Sequence, residues 1–122
     1  MKAIIEISRP GDYRARALEI AKRADAGAPA TESDYHLGFE DAGQLFSEFT
    51  AERCRMLDVL AATGAQSIYA LAKRLRRNYS NVHRDVQAMI EREIIAKDDE
   101  SRVYVPWDSV DIRVTLGSSR AA

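Results

Sequence analysis

Residues 71–93, LAKRLRRNYSNVHRDVQAMIERE, bring together side chains that bind phosphate and side chains that read bases. Six of these residues are Lys or Arg, which neutralise the charge of a nucleic-acid backbone. Arg can also make two hydrogen bonds to guanine, Asn and Gln can do the same with adenine, and Ser can bond a base or a phosphate. This combination predicts an interface for duplex DNA.

The second half of this stretch fits a helix whose two sides differ. At about 100° per residue, one side of residues 79–92 is aliphatic and consists of Val82, Val86, Met89 and Ile90. The opposite side is polar and consists of Ser80, Asn81, Arg84 and Gln87, with Tyr79 and His83 nearer the flanks. We therefore expect this helix to pack on a core and to present its polar side to DNA. Its free N-terminal N–H groups would also favour phosphate.

A shorter helix, SIYALAKRL at residues 67–75, precedes the helix of residues 79–92. Its apolar residues recur at helical spacing and are Ile68, Leu71, Ala72 and Leu75. Ser67 is suited to cap its start, because a hydroxyl can accept a backbone N–H there. The break RRN separates the two helices, and a DNA backbone would pass the basic side chains around it, which are Lys73, Arg74, Arg76 and Arg77.

The segments IIAK and RVYVPW predict two short strands around the polar tip DDES, and therefore a β-hairpin. Lys97 and Arg102, at the base of this hairpin, are placed for a flanking groove or backbone. Its acidic tip argues against deep insertion into a minor groove. The complete set of predicted DNA contacts is Ser67, Lys73, Arg74, Arg76, Arg77, Asn78, Tyr79, Ser80, Asn81, His83, Arg84, Gln87, Lys97 and Arg102. Asp85 is expected to pair with a neighbouring Arg, because a carboxylate repels phosphate.

One more helix, TAERCRMLDVLAATG, comes before these elements, with Cys54, Leu57, Leu60 and Ala61 expected to face inward. Three short helices cannot each bury an apolar stripe alone, so we expect them to pack around a shared core. The order of elements predicts an α+β fold: a winged helix-turn-helix of three helices plus a β-hairpin wing, with an N-terminal strand-helix-strand-helix extension.

The remaining segments predict a small sheet. KAIIEIS, YHLGFE and VDIRVTL are expected to pair as strands, with the Ala-rich helix from Asp12 to Gly27 lying over them. Between these lie an expected turn at 9–11, a loop at 28–34 and a short helix with Leu45, Phe46 and Phe49 on one face. We expect residues 1–49 to be a dimerisation or partner-binding extension, 50–116 the DNA-binding domain and 117–122 a disordered tail.

The charge of the 122-residue chain is unevenly spread. Residues 50–97 carry 9 basic and 5 acidic side chains, a balance of +4, although the whole chain has a net charge of -1. This local excess is typical of a nucleic-acid face.

Other patterns exclude several function classes. Cys54 is the only cysteine, which rules out an intrachain disulfide and suits a cytoplasmic protein with a buried, inert thiol. We expect no membrane span, no metal site, no cofactor and no enzymatic activity, because the chain has no suitable apolar run and no recognisable catalytic or metal-ligand spacing.

The motif YSNVHRDV followed by VYVPW resembles the winged helix-turn-helix module of small prokaryotic MarR-like DNA-binding proteins. Over residues 50–116 the chain is most similar to a putative DNA-binding and antitoxin family. The resemblance implies a transcriptional repressor bound to duplex operator DNA, and a cognate toxin as a further partner if it is an antitoxin that represses its own operon. Independently of the resemblance, we expect the small sheet and the Ala-rich helix to build a homodimer, because DNA readers of this type bind two half-sites related by two-fold symmetry. The stretch EREIIAK lacks the Gly that commonly follows the recognition helix in this family, and the wing tip lacks Gly as well.

An alternative from another class stays open at this point. A winged helix can serve as a protein–protein interaction module, in which case the basic face would meet an acidic partner instead of DNA.

Overall fold

The computed structural model describes residues 1–8, 12–27 and 33–117 and shows a mixed α/β chain. Its elements are β1 (Ala3–Ile7), α1 (Asp12–Asp25), β2 (Tyr35–Phe39), α2 (Ala42–Glu48), α3 (Ala51–Thr63), α4 (Ile68–Leu75), α5 (Tyr79–Glu91), β3 (Ala96–Lys97), β4 (Val103–Tyr104) and β5 (Val110–Arg113). The turn expected at 9–11, most of the loop expected at 28–34 and residues 118–122 of the expected tail lie outside the described residues.

The three longer strands pair into one sheet, as predicted, and the structure shows that the sheet is parallel with the order β2-β1-β5. Ala3 lies opposite Tyr35 on one side and opposite Val110 on the other. The central strand β1 is buried at Ala3, Ile4 and Ile5, which is expected for a strand with neighbours on both edges.

A single apolar cluster joins this sheet to the helices. It contains Ala3 and Ile5 of β1, Leu45 of α2, and residues of α3, α4, α5 and the hairpin. Residues 1–49 therefore share one core with residues 50–116, and the division at residue 50 stays a prediction of the sequence.

Two helix faces differ from the prediction. In α3 the buried residues are Met56, Leu57 and Leu60, whereas Ala61 is exposed and Cys54 only half-buried. The buried face of α3 is therefore centred near Leu60. Compared with the predicted face, it is rotated toward Met56. Leu45 of α2 and its C-cap Phe49 are buried, whereas Phe46 is exposed, because residues four apart share one side of a helix and Phe46 is turned about 100° from Leu45.

Helix α1 buries no apolar stripe among its described side chains. Leu18 is 56% exposed and Ile20 57% exposed. The helix instead meets the sheet through an ion pair, in which Arg16 Nη2 lies 3.0 Å from Glu6 Oε1 of β1.

The order α3, α4, turn, α5 and hairpin is that of a winged helix-turn-helix. Arg76 ends α4 in the left-handed region, with φ 55° and ψ 45°, so the chain turns sharply before α5. The hairpin pairs Lys97 with Val103. Val103 also exchanges two backbone hydrogen bonds with Gln66, just before α4, which attaches the wing to the body.

The C-terminal end of α5 is held from two sides. The Tyr35 hydroxyl donates to the carbonyl of Arg92 at 2.8 Å, and Trp107 Nε1 donates to the carbonyl of Glu93 at 3.0 Å. The two aromatic rings stack with centroids 5.2 Å apart and an angle of 11° between their planes. Trp107, which follows the hairpin, thus packs on a residue of the sheet.

The same helix is fixed to α3 by a network of charges. Asp85 accepts hydrogen bonds from Arg53 Nε at 3.1 Å and from Arg77 Nη2 at 2.8 Å. Arg77 Nε lies 2.8 Å from Glu52 of α3, and Arg53 Nη1 lies 3.4 Å from Glu48. The pairing predicted for Asp85 is therefore confirmed, with two arginines instead of one.

We expect Asp85→Ala to lower the free energy of unfolding by about 2–3 kcal/mol. The guanidinium groups of Arg53 and Arg77, only 16% and 18% exposed, would each lose a carboxylate partner. Urea denaturation measures the change. Asp58→Ala, on the exposed side of α3, is the matched control and should cost less than about 0.5 kcal/mol. Equal losses in the two variants would contradict the role given to this network.

The end of α5 generates a second stability prediction. Glu93 has φ 64°, and Ile94 N–H bonds the carbonyl of Met89 at 2.9 Å, so a left-handed Glu stands where helices commonly place Gly. Glu93→Gly removes the strain of a side chain there and should raise the free energy of unfolding by about 1 kcal/mol. Thermal unfolding tests it. Glu91→Gly, in the right-handed last turn of the same helix, should have the opposite sign. A loss of stability in Glu93→Gly would refute the prediction.

Candidate nucleic-acid interface

Helix α5 presents a polar side at its N-terminal half. Val82, Val86 and Met89 are fully buried, so the opposite side must face outward. Ser80, Asn81 and Arg84 lie on that side and are exposed, as predicted. Gln87 also belongs to it but is half-buried and lies one turn farther from the N-terminus.

The exposed side chains of this half are partly ordered by one another. Arg84 Nη2 donates to Asn81 Oδ1 at 2.8 Å, one helical turn away. The rings of Tyr79 and His83 are 5.8 Å apart and tilted by 35°. These local contacts connect the exposed side chains of one surface to one another.

Two predicted contact residues serve as helix caps. Ser67 Oγ accepts the N–H of Ala70 at 3.0 Å. Asn78 Oδ1 accepts the N–H groups of Ser80 at 2.8 Å and of Asn81 at 3.3 Å. Both caps explain why the helices begin where they do, and both side chains are exposed at helix N-termini, where other N–H groups have no partner within the helix.

Three cations of the helix-turn-helix are exposed beside α5. Lys73 Nζ lies 5.3 Å from the centre of the Tyr69 ring, and Arg74 Nε donates to Gln66 Oε1 at 3.0 Å. Arg76 is exposed in the turn. Its guanidinium forms no ion pair with any residue that the structure describes.

Tyr69 also belongs to this exposed surface, although it is not among the DNA contacts predicted from the sequence. Its ring is exposed on α4, one turn before Lys73. The signal was available, because Tyr69 falls between the apolar positions Ile68 and Leu71 and lies four residues from a lysine.

Arg77 is half-buried, unlike Lys73, Arg74 and Arg76, which are exposed. Its charge is balanced inside the fold by Asp85 and Glu52, and its Nη1 atom is buried without a hydrogen-bond partner among the described residues. The physical reason is its position after the left-handed Arg76, which directs the next side chain back toward α3. Arg77 is therefore a partly buried residue of the turn whose charge is paired inside the fold.

Arg102 of the wing forms ion pairs with acidic residues of the wing itself. Arg102 Nε lies 2.9 Å from Asp98 Oδ2, and Arg102 Nη2 lies 3.7 Å from Glu100. Asp98 also accepts the N–H groups of Arg102 and Glu100, and these bonds, the Arg102 N–H foremost, lower the pKa of its carboxyl. Ser101, with φ 62°, takes the left-handed turn position that Gly often fills. Lys97, on β3, is exposed and is the remaining wing cation of the predicted set.

Other chemistry finds little support in the described part of the chain. Within residues 1–8, 12–27 and 33–117, no three His, Cys, Asp or Glu side chains come together to hold a metal ion. Burial and then the charge of Asp58 raise the pKa of the Cys54 thiol, which disfavours the reactive thiolate. None of the described helices has the length and apolar content needed to cross a membrane.

Comparison with known proteins gives one family match. The family model HVO_A0114 matches residues 48–112, a range close to the predicted DNA-binding domain. The match does not support the antitoxin family that the sequence resembles. No curated protein matches the chain.

A solved structure shows a distant similarity in fold. It is the crystal structure of the multiple antibiotic-resistance repressor MarR from Listeria monocytogenes 4b F2365, with 18% sequence identity and a TM-score of 0.44. The similarity covers 81% of this chain and 65% of that chain, so the protein described here spans less than two thirds of the length of that repressor. The family model, in contrast, matches more than half of this chain, at residues 48–112 of 122, and the protein therefore belongs to the HVO_A0114 family.

Proposed function

We propose that this protein is a sequence-specific regulator of transcription that binds double-stranded DNA and acts as a repressor. The observation that carries the proposal is the exposed polar side of α5, flanked by the exposed cations of α4 and the turn. A helix of this kind, packed by one side and presented by the other, is the element that winged helix-turn-helix proteins insert into a major groove.

The proposed contacts divide into two kinds. Lys73, Arg74 and Arg76 bind phosphate, supported by the N–H groups at the starts of α4 and α5. Arg84 and Asn81 read base edges, since a guanidinium and an amide can each make two hydrogen bonds to one base. Ser80, Tyr79 and His83 complete the surface. Arg77 is left out, because its charge is already paired inside the fold.

The wing adds little positive charge to this surface. Its Arg102 is paired with Asp98 and Glu100, and Asp99 extends the acidic tip. We therefore place the wing beside the DNA backbone through Lys97 and not inside the minor groove.

The proposed repressor works as a homodimer. DNA readers of this type bind two half-sites related by a two-fold axis, about 34 Å apart when the half-sites occupy adjacent major-groove turns. An antitoxin role, with a toxin as partner, rests only on the sequence resemblance; co-purification with the product of a neighbouring gene tests it separately.

Substitutions at Arg84 and Arg76 should separate base reading from phosphate binding. Arg84→Ala should weaken binding to the preferred site by about 1–3 kcal/mol and relax its sequence preference. Arg76→Ala should weaken binding to all duplexes alike and lower the slope of log affinity against log salt by about 1. Fluorescence anisotropy with the protein's own upstream DNA, in competition with random duplex, measures both quantities.

The control is Lys22→Ala, which removes an exposed charge of α1 outside the winged helix-turn-helix and should leave both quantities unchanged. Identical affinity and slope in wild type, Arg84→Ala and Arg76→Ala would show that the DNA surface has been assigned to the wrong residues. A wild-type protein that binds no duplex at low salt would instead favour a protein-interaction module.

A further inference from the structure

Among the described residues, the outer edge of β5 has no strand partner, and it carries exposed apolar side chains. β5 pairs with β1 on one side, and no described residue pairs with its other side. Ile112 in this strand is 39% exposed and Leu116 just after it is 71% exposed. Apolar residues alternate with polar ones along this segment, and of these apolar residues Val110 and Val114 pack on the core. An open strand edge with apolar residues is a template for another strand.

The backbone groups at this edge can be assigned. Ala3 N–H donates to the carbonyl of Ser109 at 3.0 Å. Backbone groups alternate in direction along a strand, so Asp111 and Arg113 also direct their N–H and C=O groups toward β1. Val110 and Ile112 direct theirs to the open edge, and Val114 does so where the extended chain continues.

The sequence of this strand is nearly palindromic. The order Val110, Asp111, Ile112, Arg113, Val114 is symmetric about Ile112 except that an acid and a base exchange places. In an antiparallel pair of two such strands, Ile112 would face its own copy. Asp111 of each copy would then face Arg113 of the other.

Only this register combines matched backbone groups with opposite charges. Shifting the pairing so that Val110 faces Ile112 places Asp111 opposite Asp111. Shifting it the other way, so that Ile112 faces Val114, places Arg113 opposite Arg113. Like charges directly opposite each other destabilise a strand pair, whereas opposite charges stabilise it. Asp111 and Arg113 are 32% and 58% exposed and so are accessible to a second chain.

We infer that β5 pairs in antiparallel fashion with β5 of a second copy of this chain, centred on Ile112. This inference rests on the proposal that the protein works as a homodimer and names the surface that forms it. The joined sheet has six strands in the order β2-β1-β5-β5-β1-β2. The two-fold axis runs through the Ile112 pair and is perpendicular to the sheet, so both winged helix-turn-helix units lie on the same side of that sheet.

Charge reversals at β5 test this interface without DNA. Light scattering after size exclusion should give twice the monomer mass of 13.6 kDa for the wild type. Asp111→Arg places two Arg pairs in the interface, and Arg113→Asp places two Asp pairs there. Each variant should raise the dissociation constant of the dimer by about tenfold or more.

Two complementations distinguish this interface from a general loss of folding. The double variant Asp111→Arg/Arg113→Asp restores opposite charges and should be dimeric again. An equimolar mixture of the two single variants should form a mixed dimer, because each Arg of one chain then faces an Asp of the other. Circular dichroism of the single variants should match the wild type.

Three outcomes would overturn the inference. They are a monomeric wild type, a dimer that both reversals leave intact, and single variants that stay folded and monomeric but do not combine. Because no DNA is present, none of these outcomes bears on whether a single chain binds duplex, which the anisotropy titration decides separately.

Discussion

The burial of one side of α5 is the constraint on which the rest of the structure depends. Val82, Val86 and Met89 are fully buried. The side of a helix opposite its buried residues necessarily faces solvent. The exposed set of Ser80, Asn81 and Arg84 follows from that packing. Burying three apolar side chains of this size contributes several kcal/mol at roughly 1.5–3 kcal/mol each, far more than the polar contacts on the exposed side. Packing therefore orients the helix and leaves its polar side chains available for binding.

Polar interactions refine the position that packing imposes. Asp85, between Arg53 and Arg77, fixes the middle of α5 to α3 and to the turn. Tyr35 and Trp107 bond the carbonyls that follow its last turn, which the helix itself leaves unsatisfied. Because Tyr35 belongs to β2, a shift of the sheet would be transmitted to the end of α5. The N-terminal extension is thus mechanically connected to the proposed DNA reader.

Local patterns in the sequence were sufficient for the features that depend on neighbouring residues. The buried face of α4, the cap at Ser67 and the hairpin all follow from spacing and side-chain type. The pairing of the three strands into one sheet also followed, because apolar strands need partners, but their parallel direction and order did not. Features that depend on distant residues were not predictable in the same way. Arg77 is held inside the fold partly by its ion pair with Glu52, which is 25 positions earlier in the chain. The rotation of α3 toward Met56 and the exposure of Leu18 depend on how much core surface the other elements leave open, which no single segment specifies.

The stack of Tyr35 on Trp107 has a spectroscopic consequence. Trp107 is the only tryptophan of the chain, and its indole lies on the sheet tyrosine with its N–H bonded to a carbonyl at the end of α5. Its emission therefore reports the junction between sheet and helix, while the proposed DNA surface contributes only tyrosine, at Tyr69 and Tyr79. A change in tryptophan fluorescence on addition of a ligand would be a signal of rearrangement at this junction, which lies at the opposite end of α5 from the N-terminal half proposed to read bases.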